Sequence, residues 1–155
     1  MIPKIARLVR PFINVFKWLS PVGDLLARLW VAQIFFMSGL VKIQAWESTQ
    51  MLFAHVYNVP FLSPYVAAVL GTTAELILPI LLVIGLGGRF VIFIFFVYNA
   101  IAAVSYPYLW TAQGSAGLSD HVNWALLLLL LMFHGSGKLS LDYLIHKYHG
   151  HHLKK

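Results

Sequence analysis

Residues 63–86 read SPYVAAVLGTTAELILPILLVIGL. Such a stretch is long enough to cross the hydrocarbon core of a bilayer, which takes about 20 apolar residues in a helix. Its only charged side chain is Glu75, near the middle. The run Gly85-Leu86-Gly87-Gly88-Arg89 that follows predicts a tight turn, because glycine permits the backbone angles of a short reversal. A further apolar run from Phe90 to about Tyr108 then returns across the membrane.

Working outward, a first span is expected from about Leu25 to Ile43. Residues 46–58 mix Trp46, Phe53 and Tyr57 with Glu47, Gln50, His55 and Asn58, and predict a short helix on the outer surface. Residues 111–120 contain Gly114, Ser115 and Gly117 and read as a polar loop. A fourth span runs from His121 to about His134 and is ended by Gly135 and Gly137. Leu141 to Tyr148 predicts a last surface helix. At the other end, residues 1–20 set Lys4, Arg7, Arg10 and Lys17 among Ile5, Leu8, Val9, Phe12, Phe16 and Trp18. This predicts an amphipathic interfacial helix, bent or divided by Pro11. A signal peptide fits less well, since Lys17 interrupts the apolar stretch and no small-residue cleavage site follows.

The expected fold is therefore an all-α membrane protein. A four-helix transmembrane domain occupies residues 22–137, preceded by an interfacial segment and followed by a basic, histidine-rich tail over 138–155. Composition agrees. Of the 155 residues, 60% are hydrophobic and 10% charged, against roughly a quarter charged in soluble domains. Cysteine is absent, which removes disulfide exchange, thiol catalysis and iron–sulfur ligation. The net charge of +6 does not point to nucleic acid. The basic residues sit at segment ends, where they meet lipid headgroups. With the N-terminus inside, Lys4, Arg7, Arg10, Lys17, Arg28, Arg89, Lys138, Lys147, Lys154 and Lys155 are cytoplasmic and only Lys42 is outside, as the positive-inside rule requires. Both termini are then cytoplasmic.

A charge inside a bilayer costs roughly 2.5–3.5 kcal/mol on insertion scales, so it faces the bundle interior and pairs. On the first span, Arg28, Phe35, Gly39 and Lys42 fall within about 40° of one line at roughly 100° per residue. On the second, Ala68, Gly71, Glu75, Pro79 and Leu82 share a stripe, with Arg89 at its inner end. Pro79 has no N–H to give the Glu75 carbonyl, so a carboxyl group and a freed carbonyl share one depth. Two readings stay open: a site for a proton, cation or polar headgroup, or a Glu75–Arg28 or Glu75–Lys42 pair that only fixes helix register. Asn99, mid-span on the third helix, is placed either to bond a quinone-type carbonyl or to bridge helices. His121 and His134 diverge around the fourth helix, and no other span offers a matching histidine, which argues against haem. His121 is expected at the outer interface beside Asp120 and Trp124. The tail histidines, His146, His149, His151 and His152, suit a solvated or headgroup-binding segment better than a metal site.

From Leu25 to Leu144 these residues resemble the DoxX/DoxD-like family of small membrane proteins. Arg28-Leu29, Phe36, Gly39 and Lys42 are similar to its first-helix signature. Ala74-Glu75, Leu82, Gly85-Leu86 and Arg89 are similar to its second. Gly135, Gly137, Leu139-Ser140-Leu141 and Asp142 are similar to its closing segment. The resemblance implies a four-helix bundle in the bacterial cytoplasmic membrane. It also implies a role in a quinone-linked redox system, of the thiosulfate:quinone oxidoreductase type or in redox stress, with a separate redox partner subunit. Leu78-Pro79 departs from the glycine that relatives commonly carry there. The leading expectation is a quinone-binding membrane subunit in which Glu75 handles a proton. Arg28, Lys42, Arg89 and Asn99 are then candidate cofactor-binding residues. A small proton-coupled transporter, as a homo-oligomer, and a non-catalytic assembly subunit are the alternatives.

Overall fold

The computed structural model describes residues 2–149, with side chains for residues 9–148. Six α-helices account for most of them: α1 (Ile2–Gln44), α2 (Trp46–His55), α3 (Pro64–Ile84), α4 (Gly88–Ser105), α5 (Ser115–His134) and α6 (Leu141–His149). Four are long and apolar enough to cross a membrane: α1 over Val9–Gln44, α3, α4 and α5. The chain is a four-span helical membrane protein.

Two boundaries differ from the sequence expectation. The interfacial segment and the first span form one continuous helix of 43 residues, with Pro11 and Pro21 inside it. At 1.5 Å per residue this helix is roughly 65 Å long, about twice the thickness of a hydrocarbon core. Each proline removes one backbone donor, and the intact turns on either side carry the helix through. Phe12, Phe16 and Trp18 on its first half are exposed. The fourth span also starts earlier, at Ser115, so residues 115–120 are helical and not loop. A 3-10 turn over Pro107–Trp110 precedes it. The glycines that suggested a loop serve close packing instead. A Cβ on Gly114 would collide with the Tyr108 carbonyl, and one on Gly117 would lie 2.8 Å from the Leu109 side chain.

Helix α1 packs chiefly on α3, and α4 on α5. Small residues set the first of these contacts. A Cβ on Gly39 would lie 3.0 Å from the Cβ of Glu75 and from the Leu76 side chain, so the two helices meet where Glu75 sits. The core between the pairs is built from Val31, Phe35, Leu78, Leu82, Ile92, Phe95 and Leu128, all buried. Phe35 and Phe95 meet edge to face at 4.8 Å. Such pairs add about 0.5–1.5 kcal/mol beyond the area they bury. A second, smaller cluster of Phe53, Ala67 and Ala68 seats α2 against the start of α3.

The opposite end of the bundle is closed by polar contacts. Gly85 takes φ 66° and ends α3. Its N–H bonds the Leu82 carbonyl, and the Leu86 N–H bonds the Leu81 carbonyl, the paired closure that a left-handed residue allows. The C-terminal segment docks here. Ser140 caps α6 by accepting from the Tyr143 N–H at 3.2 Å. The Asp142 carboxylate accepts from the Gly87 N–H at 3.2 Å, and the Asp142 N–H bonds the Gly85 carbonyl at 3.2 Å.

Candidate functional site

The charged residues of the first two spans separate into two groups. Arg28 is fully buried, yet among the described residues it touches no carboxylate side chain within hydrogen-bond reach. Its guanidinium donates to the carbonyls of Leu82 at 3.3 Å, Val83 at 3.0 Å and Leu139 at 2.5 Å, and more weakly to Asp24 at 3.4 Å. The last carbonyls of a helix have no intrahelical donor. Arg28 supplies donors to the end of α3 and ties the C-terminal segment to the same point. Arg89 donates to the Phe133 carbonyl at 3.2 Å in an exposed position. Neither arginine meets Glu75, so of the two pairs left open by the sequence Glu75–Arg28 is not formed, and neither arginine, both candidate cofactor-binding residues, lines the cavity described below. The reason is depth. Arg28 and Lys42 share a face of α1 but lie roughly 21 Å apart along it.

Lys42 does meet Glu75. Its ammonium donates to Oε1 at 2.8 Å, to Oε2 at 2.6 Å and to the Ser38 hydroxyl at 2.7 Å. All three N–H groups of the lysine are engaged. Tyr98, from α4, donates to Glu75 Oε1 at 3.0 Å and to the Gly71 carbonyl at 3.1 Å. The Glu75 and Lys42 side chains are 9% and 14% exposed, and what they face decides their role. Both line a cavity of about 600 Å³, within the usual range of small-molecule pockets.

The four spans enclose this cavity together. Phe35 and Ser38 come from α1, Gly71 and Ala74 from α3, Tyr98 and Ala102 from α4, and His121 and Trp124 from α5. Glu75 and Lys42 come from the first two spans, and the cavity they line extends to the last two. Its roof is aromatic. Phe53 packs on Tyr57 at 4.9 Å, and Tyr57 on Tyr106 at 5.1 Å. Tyr57 follows α2, outside the spans. Burial chiefly, then Tyr106 and Glu75, raise its phenol above the ordinary 10.0, so it remains a neutral hydroxyl at physiological pH. The floor is the packed core around Phe35 and Phe95.

His121 was expected at the interface beside Asp120. It lines the cavity, with its ring 4.8 Å from Trp124 and 6.5 Å from Phe35. Asn99 holds it there. The Asn99 amide nitrogen donates to the His121 backbone carbonyl at 2.9 Å, and the amide oxygen lies 2.8 Å from His121 Nδ1. A carbonyl cannot donate, so the amide orientation is fixed and Nδ1 must carry the proton. Nε2 of the neutral ring is then an acceptor. Asn99 is thus an interhelical bridge that orients His121, and it is not among the cavity's lining residues.

Sequence reasoning singled out Glu75 and Lys42 but not Ser38, Tyr98 or the inward role of His121. Ser38 lies one turn before Lys42 on the same helix face. Tyr98 is the one hydroxyl-bearing aromatic within α4, a polar tip placed among phenylalanines and aliphatic residues. Among the described residues, no cluster of three or more His, Asp or Glu side chains is placed to hold a metal ion. Of the tail histidines, His151 and His152 lie outside the described residues.

Fold and site together define a small helical membrane protein with a largely apolar cavity and one buried ion pair in its wall. The family model described as DoxX matches residues 23–107. The chain belongs to the DoxX family. No curated protein and no solved structure matches.

Proposed function

We propose that this chain is the quinone-binding membrane subunit of a redox system. In this reading it lies in a bacterial cytoplasmic membrane with both termini cytoplasmic, and works with a partner subunit that supplies electrons. The observation that carries the reading is a set of hydrogen-bonding groups in the wall of an aromatic-lined cavity inside the spans. Those groups are Lys42, Glu75, Tyr98 and His121.

The residues fit a quinone head. Aromatic walls accept a flat ring, and carbonyl oxygens need donors. Tyr98 is the donor that turns most cheaply toward a ligand. Its single hydrogen is shared between two acceptors, and one of them, Glu75, keeps both of its contacts to Lys42. His121 Nε2 offers an acceptor elsewhere in the same cavity, suited to a hydroxyl of the reduced form. A bound quinone supplies two-electron, two-proton chemistry. Here the protein's part is to orient the head, hold water out, and exchange protons through the Tyr98–Glu75 pair and His121. The buried core beneath Phe35 and Phe95 favours a binding site over a path through the bundle.

The test is the lipid extract of the purified protein, read by mass spectrometry, together with quinone titration of Glu75→Gln in membranes. Co-purified quinone, and weaker binding in the variant, are expected. Unchanged quinone binding and quinone-dependent activity in Glu75→Gln would sink the mechanism.

A further inference from the structure

The main cavity has an annex on the outside of the bundle. Pro60, Ala100 and Val104 line a shallow apolar groove of about 200 Å³, and Ile101 and Ser105 line the groove and the main cavity alike. Two side chains therefore form a threshold between the main cavity, with its polar groups in the wall, and an outer groove that is apolar throughout. The outer side is a lipid-facing surface: Ala100, Ile101 and Val104 are exposed on α4, and α4 is one of the four candidate spans. Acyl chains would cover such a face.

The threshold itself is distinctive. Ser105 is 4% exposed, and its hydroxyl has no hydrogen-bond partner among the described residues. Buried hydroxyls ordinarily find one. The Ser105 carbonyl accepts from the Asn58 N–H at 2.7 Å, which holds the segment leading to Pro60 against the end of α4. The next residue, Phe61, takes φ 64° and presents a fully exposed ring. A non-glycine residue held in the left-handed region is strained, and here it directly follows Pro60, which lines the groove.

The geometry points to a head-and-tail site. The ligand's polar head occupies the main cavity, and its hydrocarbon tail leaves over Ile101 and Ser105 along the α4 groove into the bilayer. Resting on the quinone reading of the cavity, this narrows the ligand class to tail-bearing quinones and makes the tail part of recognition. Ser105 would meet the last polar oxygen of the head, where head gives way to tail.

The absence of cysteine makes the test clean, because any introduced thiol is unique. Two probes are compared: a decyl-substituted benzoquinone and the same ring without a tail. Ala100→Trp fills the groove and leaves the main cavity's lining unchanged. It should weaken decyl-quinone binding about tenfold, the equivalent of losing the burial of roughly two methylenes, and leave the tailless ring bound as before. Independently, Val104→Cys should be protected from a membrane-permeant maleimide by the decyl-quinone and not by the tailless ring. Phe133→Cys, on the exposed face of α5, should be protected by neither. Equal effects of Ala100→Trp on both probes, or no protection of Val104→Cys while the decyl-quinone is bound, overturn the tail site and leave the quinone reading standing. If wild-type protein binds neither probe, the quinone reading fails, and the tail site fails with it.

Discussion

The two ends of the bundle each bury a cation, and they use it in opposite ways. At one end Arg28 spends its donors on backbone carbonyls from α3 and the C-terminal segment. It lines neither of the two cavities described above. At the other end Lys42 spends its donors on side chains, chiefly the Glu75 carboxylate, in the wall of a cavity. Burial of charge alone does not mark a site. A planar guanidinium that satisfies several fixed carbonyls is a fastening. An ammonium paired with a carboxylate beside an open volume is a group that a ligand can reach. Mutation should separate the two ends, because one end should lose stability and the other should lose binding.

The largest effect is expected at the fastening. Arg28→Ala strands the carbonyls of Val83 and Leu139, at about 1–3 kcal/mol for each buried unsatisfied group, and takes a charged donor from Leu82, which keeps the Gly85 N–H, so a loss of about 5 kcal/mol is expected. Thermal unfolding in detergent would measure it. Arg28→Lys should recover only part of that, since one ammonium cannot reproduce the fork. If Arg28→Ala instead folds normally and loses ligand binding, the contrast between the ends is wrong.

Next comes the ion pair. Lys42→Ala leaves Glu75 buried without its cation, and breaking a buried pair typically costs about 3–5 kcal/mol. Replacing both residues with apolar ones of similar volume, as in Lys42→Met with Glu75→Leu, should bring stability back to within about 1 kcal/mol of wild type, because desolvating the pair is itself expensive. Quinone binding should stay lost in the double variant. A double variant that both folds and binds would reduce the pair to helix register.

Much of this was legible in the sequence, and what was not has separable physical causes. Helical angles placed Arg28, Gly39 and Lys42 correctly on one inward face. Gly39 does touch Glu75, and Lys42 does pair with it. Angles carry no axial distance, however, and the rise along α1 separates Arg28 from the pair. Direction around the helix, not depth, separates Tyr98 from its neighbour. Attention fell on Asn99, the more polar neighbour, but consecutive residues on a helix point about 100° apart. Asn99 turns to α5 and Tyr98 to the cavity. The glycines at 114 and 117 misled for another reason: glycine marks a close approach as readily as a loop. Only the packed structure tells which. The cavity is also beyond sequence reasoning, because it is the volume that four helices fail to fill.

Tyr98→Phe tests the cavity end more gently. It removes one hydroxyl and keeps the ring. A net cost of about 1 kcal/mol in stability is expected, since Lys42 still satisfies Glu75. Quinone affinity should fall by up to about tenfold if the hydroxyl is the ligand's donor. Unfolding and titration on the same preparation would show whether binding moves more than stability, which is the signature separating this end from Arg28.

The smallest effect is expected at Asn99, which sits between the two behaviours. It is buried and makes a double contact with His121, so it resembles Arg28 as a fastening. Its partner lines the cavity, so it also resembles Tyr98 as a positioning group. Interhelical hydrogen bonds in membranes average about 0.6 kcal/mol, because in lipid the unfolded reference also finds partners. Asn99→Leu should therefore cost about 1 kcal/mol or less in unfolding. Its effect should show in His121 instead. Without the amide oxygen to hold the proton on Nδ1, the ring is free to exchange tautomers, and nitrogen NMR of labelled histidine should show a mixture where wild type shows one form. A large stability loss with an unchanged tautomer would place Asn99 with Arg28 among the fastenings. A small loss with a mixed tautomer places it with the cavity, where the orientation of one acceptor is what the residue contributes.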